Sequence, residues 1–357
     1  MLSDLTSALK GSDLARNTAW MFMGQCLKLV IQAAYFIIIA RSLGPNQYGA
    51  FIAVVAFSQI LSPFVGLGGG NLLIKNVARN RECFSEYWGN LLFMTITTGL
   101  LLMGVVIGAA RLMLPAAVPM TIILLVGVAE LLFTRLVDCG SWAFQSVERL
   151  DVTAQFNVVM AVSRLIGIAV LAAMMKHPTA VHWSAVYLAT TVFAAVLALY
   201  RVRQLGSPRL ALHRIRGEFV EGLYFSGSLS AQSIYNDIDK TMLARLATLD
   251  AAGIYAAAYR LIDVAFIPVR SLLYAAYPSF FRAGQEGMAG SLRLMKRLLP
   301  KAAAYAAFAF VCLTAGAPLV QHILGAEYAR SVEALRWLAL LPLLKAVHYF
   351  FADSLTG

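Results

Sequence analysis

Ala40-Arg-Ser-Leu-Gly-Pro-Asn-Gln-Tyr-Gly-Ala-Phe-Ile-Ala53 is the stretch on which the reading of this chain turns. Shifted by 204 residues, Ala40-Arg41 falls on Ala244-Arg245, Gly49 on Gly253, Phe51 on the aromatic Tyr255 and Ala53 on Ala257. In both places an apolar run ends, a short turn follows and a second apolar run begins, so one junction opens each half of the chain. Between the copies lies the most basic segment, Arg201-Val-Arg-Gln-Leu-Gly-Ser-Pro-Arg-Leu-Ala-Leu-His-Arg-Ile-Arg216. It reads as a joint held against anionic headgroups. A unit repeated in one orientation is one of two ways transporters build two bundles around a midplane site.

Outward from these junctions, apolar windows of about 20 residues recur along almost the whole chain. They lie near 17–40, 48–73, 88–110, 116–136, 155–175, 183–201, 219–246, 253–278, 300–320 and 334–352. Of 357 residues, 60% are hydrophobic and 13% charged, with a mean hydropathy of +0.73. Soluble domains carry about 25% charged residues, so a water-soluble globular enzyme is excluded. The expected fold is all-α, a polytopic membrane protein of about ten helices in two bundles, six and four, around a central cavity. The expected domains are an N-terminal six-helix bundle over 1–200, a basic cytoplasmic linker over 201–217 and a C-terminal bundle over 218–357. With four helices against six, the second bundle reads as incomplete.

The net charge of +11 is not clustered on a soluble face, which argues against a nucleic-acid partner. With the N-terminus inside and the windows alternating, six of the 29 Lys and Arg fall outside: Arg41, Arg111, Lys176, Arg245, Arg330 and Arg336. Six more lie within the windows, and the other seventeen face the cytoplasm, Arg135 among them. That bias predicts a multi-pass inner-membrane protein with a cytoplasmic N-terminus. Cys26, Cys83, Cys139 and Cys312 are widely spaced, without a Cys-x-x-Cys pair or nearby His, so neither a zinc site nor a disulfide framework is expected. No cofactor is implied.

A charge near the bilayer centre costs about 2.5–3.5 kcal/mol on insertion scales, so such groups turn toward a bundle interior or a wet cavity. Lys28, Arg164, Lys240, Arg260, Arg270 and Lys345 fall inside the windows, against Glu130, Asp237, Asp239 and Asp263. At about 100° per residue, Gln25, Lys28, Gln32 and Tyr35 share one face of the first helix. Ser226, Ser230, Ser233, Asp237 and Lys240 do so on the seventh, and Arg260, Asp263, Arg270 and Tyr274 on the eighth. Asp239 lies off the stripe of the seventh. Two readings stay open. Asp237 with Lys240, and Arg260 with Asp263, stand at i,i+3 and could neutralise each other within a packed bundle, or each could line a cavity. Glu130 could pair with Arg135 or Arg164, Arg270 could snorkel, and Lys345 shares a face with His348 and Tyr349. Lys28 and Arg164 have no acidic partner one turn away on their own helices, which favours the cavity.

A modestly cationic interior suits an anionic substrate, above all a phosphate or pyrophosphate, which Arg meets with paired donors and Lys with a point charge. Lys28, Arg164, Lys240, Arg260 and Arg270 are the candidate substrate-binding residues. Gln25, Gln32, Asp237, Asp239, Asp263 and Lys345 are candidates for polar lining or ion coupling. Pro63 with Gly66-Leu-Gly-Gly-Gly70, and Pro268, sit at corresponding places in the two halves and predict paired helix interruptions beside the site.

Asn17-Thr-Ala-Trp20, the turn Ala40 to Gly49, and the run from Asn236-Asp-Ile-Asp-Lys240 through Ala252-Gly-Ile-Tyr-Ala-Ala-Ala-Tyr-Arg260 resemble the polysaccharide-transport branch of the multidrug/oligosaccharidyl-lipid/polysaccharide exporter superfamily, which includes the Wzx-type O-antigen flippases. The resemblance implies two six-helix bundles with a V-shaped cavity that pass a lipid-linked oligosaccharide across the inner membrane by alternating access. It sets Asp239, Lys240 and Arg260 beside that cavity. The expected function is therefore a flippase for polyprenyl-diphosphate-linked oligosaccharide, not an enzyme. Its implied partners are that substrate, membrane lipids, and a polysaccharide polymerase with chain-length proteins. A cation-coupled multidrug exporter of the same superfamily would want acidic residues to dominate the cavity. A membrane polymerase or glycosyltransferase would want a large outer loop or an acidic cluster in a soluble loop.

Overall fold

In lipid, an apolar segment satisfies its backbone polar groups internally only as a helix or in a closed barrel. Among the residues described by the computed structural model the chain takes the first course throughout, with no strand. The structure describes the backbone of residues 2–284 and 287–356. Side chains are described from Val30 onward, except at 212, 214–219, 228, 232, 274–275, 277–279, 281–286 and 352–357. Two compact units, Met1–Ala252 and Gly253–Gly357, make up the chain.

The first unit holds α1 (Leu2–Leu61), α2 (Gly69–Arg79), α3 (Phe84–Met113), α4 (Met120–Val128), α5 (Thr134–Ser146), α6 (Leu150–Met174), α7 (Ala180–Val202) and α8 (Leu212–Leu246). A π turn over Ala129–Phe133 joins α4 to α5. α9 (Leu249–Gly284) begins in this unit and continues into the second, which adds α10 (Met288–Gly316), α11 (Leu319–Leu324), α12 (Ser331–Leu338) and α13 (Leu341–Thr356).

Lipid offers no hydrophobic drive for helix to meet helix, so close approach of small residues does that work. A Cβ on Gly140 of α5 would sit 3.0 Å from the Cβ of Ala198 on α7, and one on Gly167 of α6 would sit 2.8 Å from Val186. Around these contacts the core of the first unit gathers Leu73, Trp88, Leu91, Phe144 and Phe156. In the second unit Phe266, Val269, Phe280, Met295 and Phe350 form a separate core. Large apolar side chains such as Leu100, Leu101, Val170, Phe193 and Val196 remain exposed, as a lipid-facing surface requires.

Eight helices among the described residues are long and apolar enough to cross a membrane, where the windows suggest ten. The windows 17–40 and 48–73 meet in α1, which is two helices either side of a kink at Gly44 (φ 68°, ψ 170°) before Pro45 and is counted as the one span Val30–Phe64. α8, which carries Asp237, Asp239 and Lys240 within about one turn, is not among the eight.

The expected interruption at Pro63 is present. A 3-10 turn at Ser62–Phe64 is followed by Gly66, Leu67 and Gly68 at φ 76°, 44° and 69°, and α2 starts only at Gly69. Its expected counterpart is absent: α9 remains helical from Leu249 to Gly284, past Pro268. A proline removes one hydrogen bond and bends a helix, whereas three successive positive φ values end one.

α8 packs against α1 and α2 within the first unit. Gly222 lies against the turn at Leu67 and Gly68 so closely that a Cβ on Gly68 would meet its carbonyl oxygen at 2.5 Å, and Lys75 Nζ reaches Glu221 Oε1 at 2.6 Å. The compact units therefore divide later in the chain than the basic joint at 201–217. That joint is itself docked. Asn90 on α3 donates to the Ala211 carbonyl at 3.0 Å and accepts from its N–H at 2.9 Å, and Arg209 N–H donates to the Ser85 carbonyl at 2.8 Å. A Cβ on Gly89 would collide with the Arg209 backbone.

Replacing Asn90 with Ala strands both backbone groups of Ala211 and should cost about 1–3 kcal/mol. The expected result is a lower thermal midpoint in detergent and faster tryptic cutting at Arg203 or Arg209. An unchanged midpoint and cutting rate would show that the joint is held by other means.

Candidate functional site

Glu130 is carried by the π turn between α4 and α5 and is 1% exposed. A π turn inserts a residue into the helical repeat and re-aims the side chains around it, often where function needs them. Here the carboxylate accepts from Gln59 Nε2 at 2.5 Å and from the Tyr187 hydroxyl, and Arg164 Nη2 stands 3.9 Å away. The Arg164 guanidinium lies over the Tyr187 ring at 4.2 Å and reaches Thr191 Oγ1 at 3.4 Å, while its buried Nε has no hydrogen-bond partner. Tyr187 is fixed by edge contacts with Phe51 and with the fully buried Trp183, whose ring also meets Tyr35. Of the two partners open to Glu130 in the sequence, Arg164 is the one that faces it.

Arg135, counted among loop residues in the sequence, lies within the span Met120–Ser146. The window 116–136 ends just past Arg135 and short of Asp138. In three dimensions they pair with each other, Nη1 to Oδ2 at 3.1 Å, and the helix continues to Ser146. The buried Nε of Arg135 has no hydrogen-bond partner. The residue Arg135 lines a cavity of about 190 Å³ with Gln59, Asn71, Trp142, Leu229 and Ser233, at the break between α1 and α2. Gln59 belongs to both features, since its Oε1 accepts from Ser62 Oγ at 3.1 Å while its Nε2 donates to Glu130. Sequence reasoning missed Gln59, Arg135 and Trp142. The continuation of apolar residues through Ala143 and Phe144 was the one signal that Arg135 stands inside a helix.

Among the candidates named from sequence, the side chains of Lys28 and Gln25 lie outside the described residues. Gln32 is half-buried on α1. On α8, Lys240 Nζ donates to Asp237 Oδ1 and to the Asn236 carbonyl, each at 2.7 Å, and Asp239 Oδ1 accepts from the Lys240 N–H at 2.7 Å. In the second unit Lys345, 5% exposed, donates to Tyr259 Oη at 2.7 Å and stands 3.8 Å from Asp263, with the Tyr259 and Phe266 rings at 4.6 and 5.9 Å. Asp263 thus meets a cation from α13. Arg260, its i,i+3 neighbour, is half-buried in the span Leu249–Leu273 and carries no ion pair among the described residues. Arg270 is exposed near the end of that span, 5.9 Å from the Phe266 ring. No group of His, Cys, Asp and Glu among the described residues could hold a metal ion.

The described residues thus form apolar helices with charge pairs between them and a partly open cavity at the break between α1 and α2. A family model described as polysaccharide biosynthesis protein matches residues 14–283, and the chain belongs to that family. Its fold is that of the exporter superfamily. The inward-facing conformation of a multidrug resistance MATE family transporter of the MOP superfamily aligns with a TM-score of 0.75 at 14% identity, covering 92% of this chain and 80% of that one. The outward-facing conformation of such a transporter gives 0.66 at 14%, covering 97% and 81%. A MOP superfamily transporter from Pyrococcus furiosus, described as having a binding pocket of reverse polarity that suggests a different function, gives 0.64 at 13%, covering 96% and 81%. No curated protein sequence matches the chain. The protein is a multi-pass membrane protein of the polysaccharide biosynthesis family, with a fold similar to that of these transporters.

Removing one member of a buried ion pair leaves the other uncompensated, at about 3–5 kcal/mol. Glu130→Ala and Arg164→Ala should each lower the thermal midpoint in detergent sharply. The double variant Glu130→Gln/Arg164→Gln should recover at least half of the loss, and purely additive losses would show that the two charges do not stabilise each other.

Proposed function

We propose that this protein is a flippase that moves a polyprenyl-diphosphate-linked oligosaccharide across the inner membrane, with the N-terminus cytoplasmic. The observation that carries the reading is Arg260: a half-buried guanidinium within an apolar span, without an ion pair among the described residues. Its acidic neighbour Asp263 faces Lys345, so Arg260 keeps its charge for a ligand. A diphosphate leaving water loses hydration that only fixed donors replace, and an arginine fork supplies two of them in one plane. The family's description as polysaccharide biosynthesis supports a sugar-bearing cargo.

The pairing of the acids counts against the multidrug alternative. Glu130, Asp237 and Asp263 each meet a cation of the protein, which leaves little carboxylate charge for a cationic drug. Lys28, Lys240 and Arg270 belong to the same proposal as supporting charges, with Gln25, Gln32, Asp239 and Lys345 as its polar lining. A polysaccharide polymerase and chain-length proteins are its proposed partners.

Alternating access requires contacts that make and break. Asn46, in the turn opening the first half, donates to Asp250 Oδ2 at 2.9 Å, and these two residues stand 204 apart, the offset of the internal repeat. We infer that this exposed bond is one such contact, between equivalent junctions of the domains proposed at 1–200 and 218–357.

Arg260→Ala should abolish export while the protein still inserts, and Arg260→Lys should keep part of it. Both are read from the lipid-linked intermediate that accumulates in cells lacking the native gene. Full export by Arg260→Gln would remove the diphosphate-binding role. In a background without native cysteines, Asn46→Cys with Asp250→Cys should form a disulfide under oxidation that arrests export and a reductant that releases it. Undiminished export by the cross-linked protein would show that the contact does not open.

A further inference from the structure

The cavity at the break between α1 and α2 differs chemically from the cationic positions. Among the described lining residues only Arg135 is charged, and Asp138 neutralises it at 3.1 Å. A diphosphate would need net positive charge there, and the pair withholds it. Around the same space stand the indole of Trp142, the amide of Asn71 and the hydroxyl of Ser233. Trp142 is seated where Gly70 allows it, since a side chain at 70 would run into the ring. A flat apolar ring beside an amide, a hydroxyl and a charge-compensated guanidinium matches a neutral polyol ring, which presents C–H bonds on its face and hydroxyls around its edge. The cavity's volume, about 190 Å³, falls below the roughly 300–1,000 Å³ of drug-sized ligand sites, which is room for one ring and not for an oligosaccharide.

We propose that the cavity lined by Asn71, Arg135, Trp142 and Ser233 is a binding subsite for one neutral sugar ring of the cargo, separate from the residues that meet its diphosphate. The proposal rests on the flippase reading and adds to it the part of the substrate that this unit holds. Specificity then comes from hydrogen bonds to hydroxyl groups, which discriminate between sugars, while the diphosphate common to all such carriers is bound elsewhere.

The test is saturation-transfer NMR on the full chain in lipid nanodiscs, with an equimolar mixture of free neutral hexoses, deoxyhexoses and N-acetylhexosamines as probe. At least one sugar should be saturated by the native protein. Its signal should fall about fivefold in Asn71→Ala and further in Trp142→Ala, in line with the loss of a single hydrogen bond or ring contact. Inorganic pyrophosphate in excess should leave it unchanged. Asn71→Ala carries the test if Trp142→Ala fails to fold. Saturation of no sugar, equal signals in the native protein and Asn71→Ala, or displacement by pyrophosphate would each overturn the subsite. Retention of bare polyprenyl diphosphate by the same nanodiscs separates the two readings. If it is retained without any sugar signal, the flippase reading stands and the subsite falls; if it is not retained, the flippase reading falls first.

Discussion

A charge carried into lipid has to be met by protein, and much of the first unit is arranged around one such meeting. Glu130, Arg164, Tyr187 and Gln59 come from the π turn, α6, α7 and the second arm of α1. None of these elements could place its polar group in hydrocarbon alone without a cost of several kcal/mol. Brought together, the carboxylate takes two hydrogen bonds and a nearby guanidinium, and that guanidinium takes an aromatic face and a hydroxyl. The aromatic contacts of Trp183 and Phe51 hold Tyr187 at this point, so the packing of apolar rings decides where the charges stand.

The same cluster touches the candidate cavity through Gln59. One end of its amide serves Glu130 and the other serves Ser62, at the turn where α1 ends. Beyond that turn Gly66, Leu67 and Gly68 take positive φ, and Gly68 and Gly222 come into contact. Broken helices in membranes survive where the exposed backbone lines a cavity or is met by neighbouring groups, and both conditions hold here. Thr98 accepts from the Gly66 N–H at 2.8 Å, and the cavity opens alongside.

Pairing also sorts the cations by what remains for a substrate. Lys240, Lys345 and Arg164 are each engaged by an acid or a phenol of the protein, and Arg135 by Asp138. Arg260 is the half-buried cation whose charge is left over among the described residues. A carrier of lipid-linked sugar has two chemistries to recognise, an anionic linkage and a neutral polyol. On the proposed flippase reading, Arg260, without an ion pair among the described residues, and the cavity beside Arg135 and Asp138 are the groups offered to them.

Composition and the recurrence of apolar windows determined by themselves that the chain is an all-helical membrane protein, because length and hydropathy alone decide which segments can lie in lipid. The repeated junction at Ala40 and Ala244 likewise marked the turns that Asn46 and Asp250 occupy. What sequence could not carry was partnership across helices. At i,i+3, Arg260 and Asp263 are as plausible a pair as Asp237 and Lys240, yet only the second forms, because α13 brings Lys345 to Asp263. The window 116–136 ends between Arg135 and Asp138, which pair with each other as the helix continues to Ser146. Pro63 and Pro268 look equivalent on paper, and the difference lies in the glycines that follow the first. Periodicity reports which face of its own helix a residue occupies; which residue of another helix it meets depends on how helices approach, and glycines such as Gly68, Gly140 and Gly222 decide that through contacts of a few ångströms.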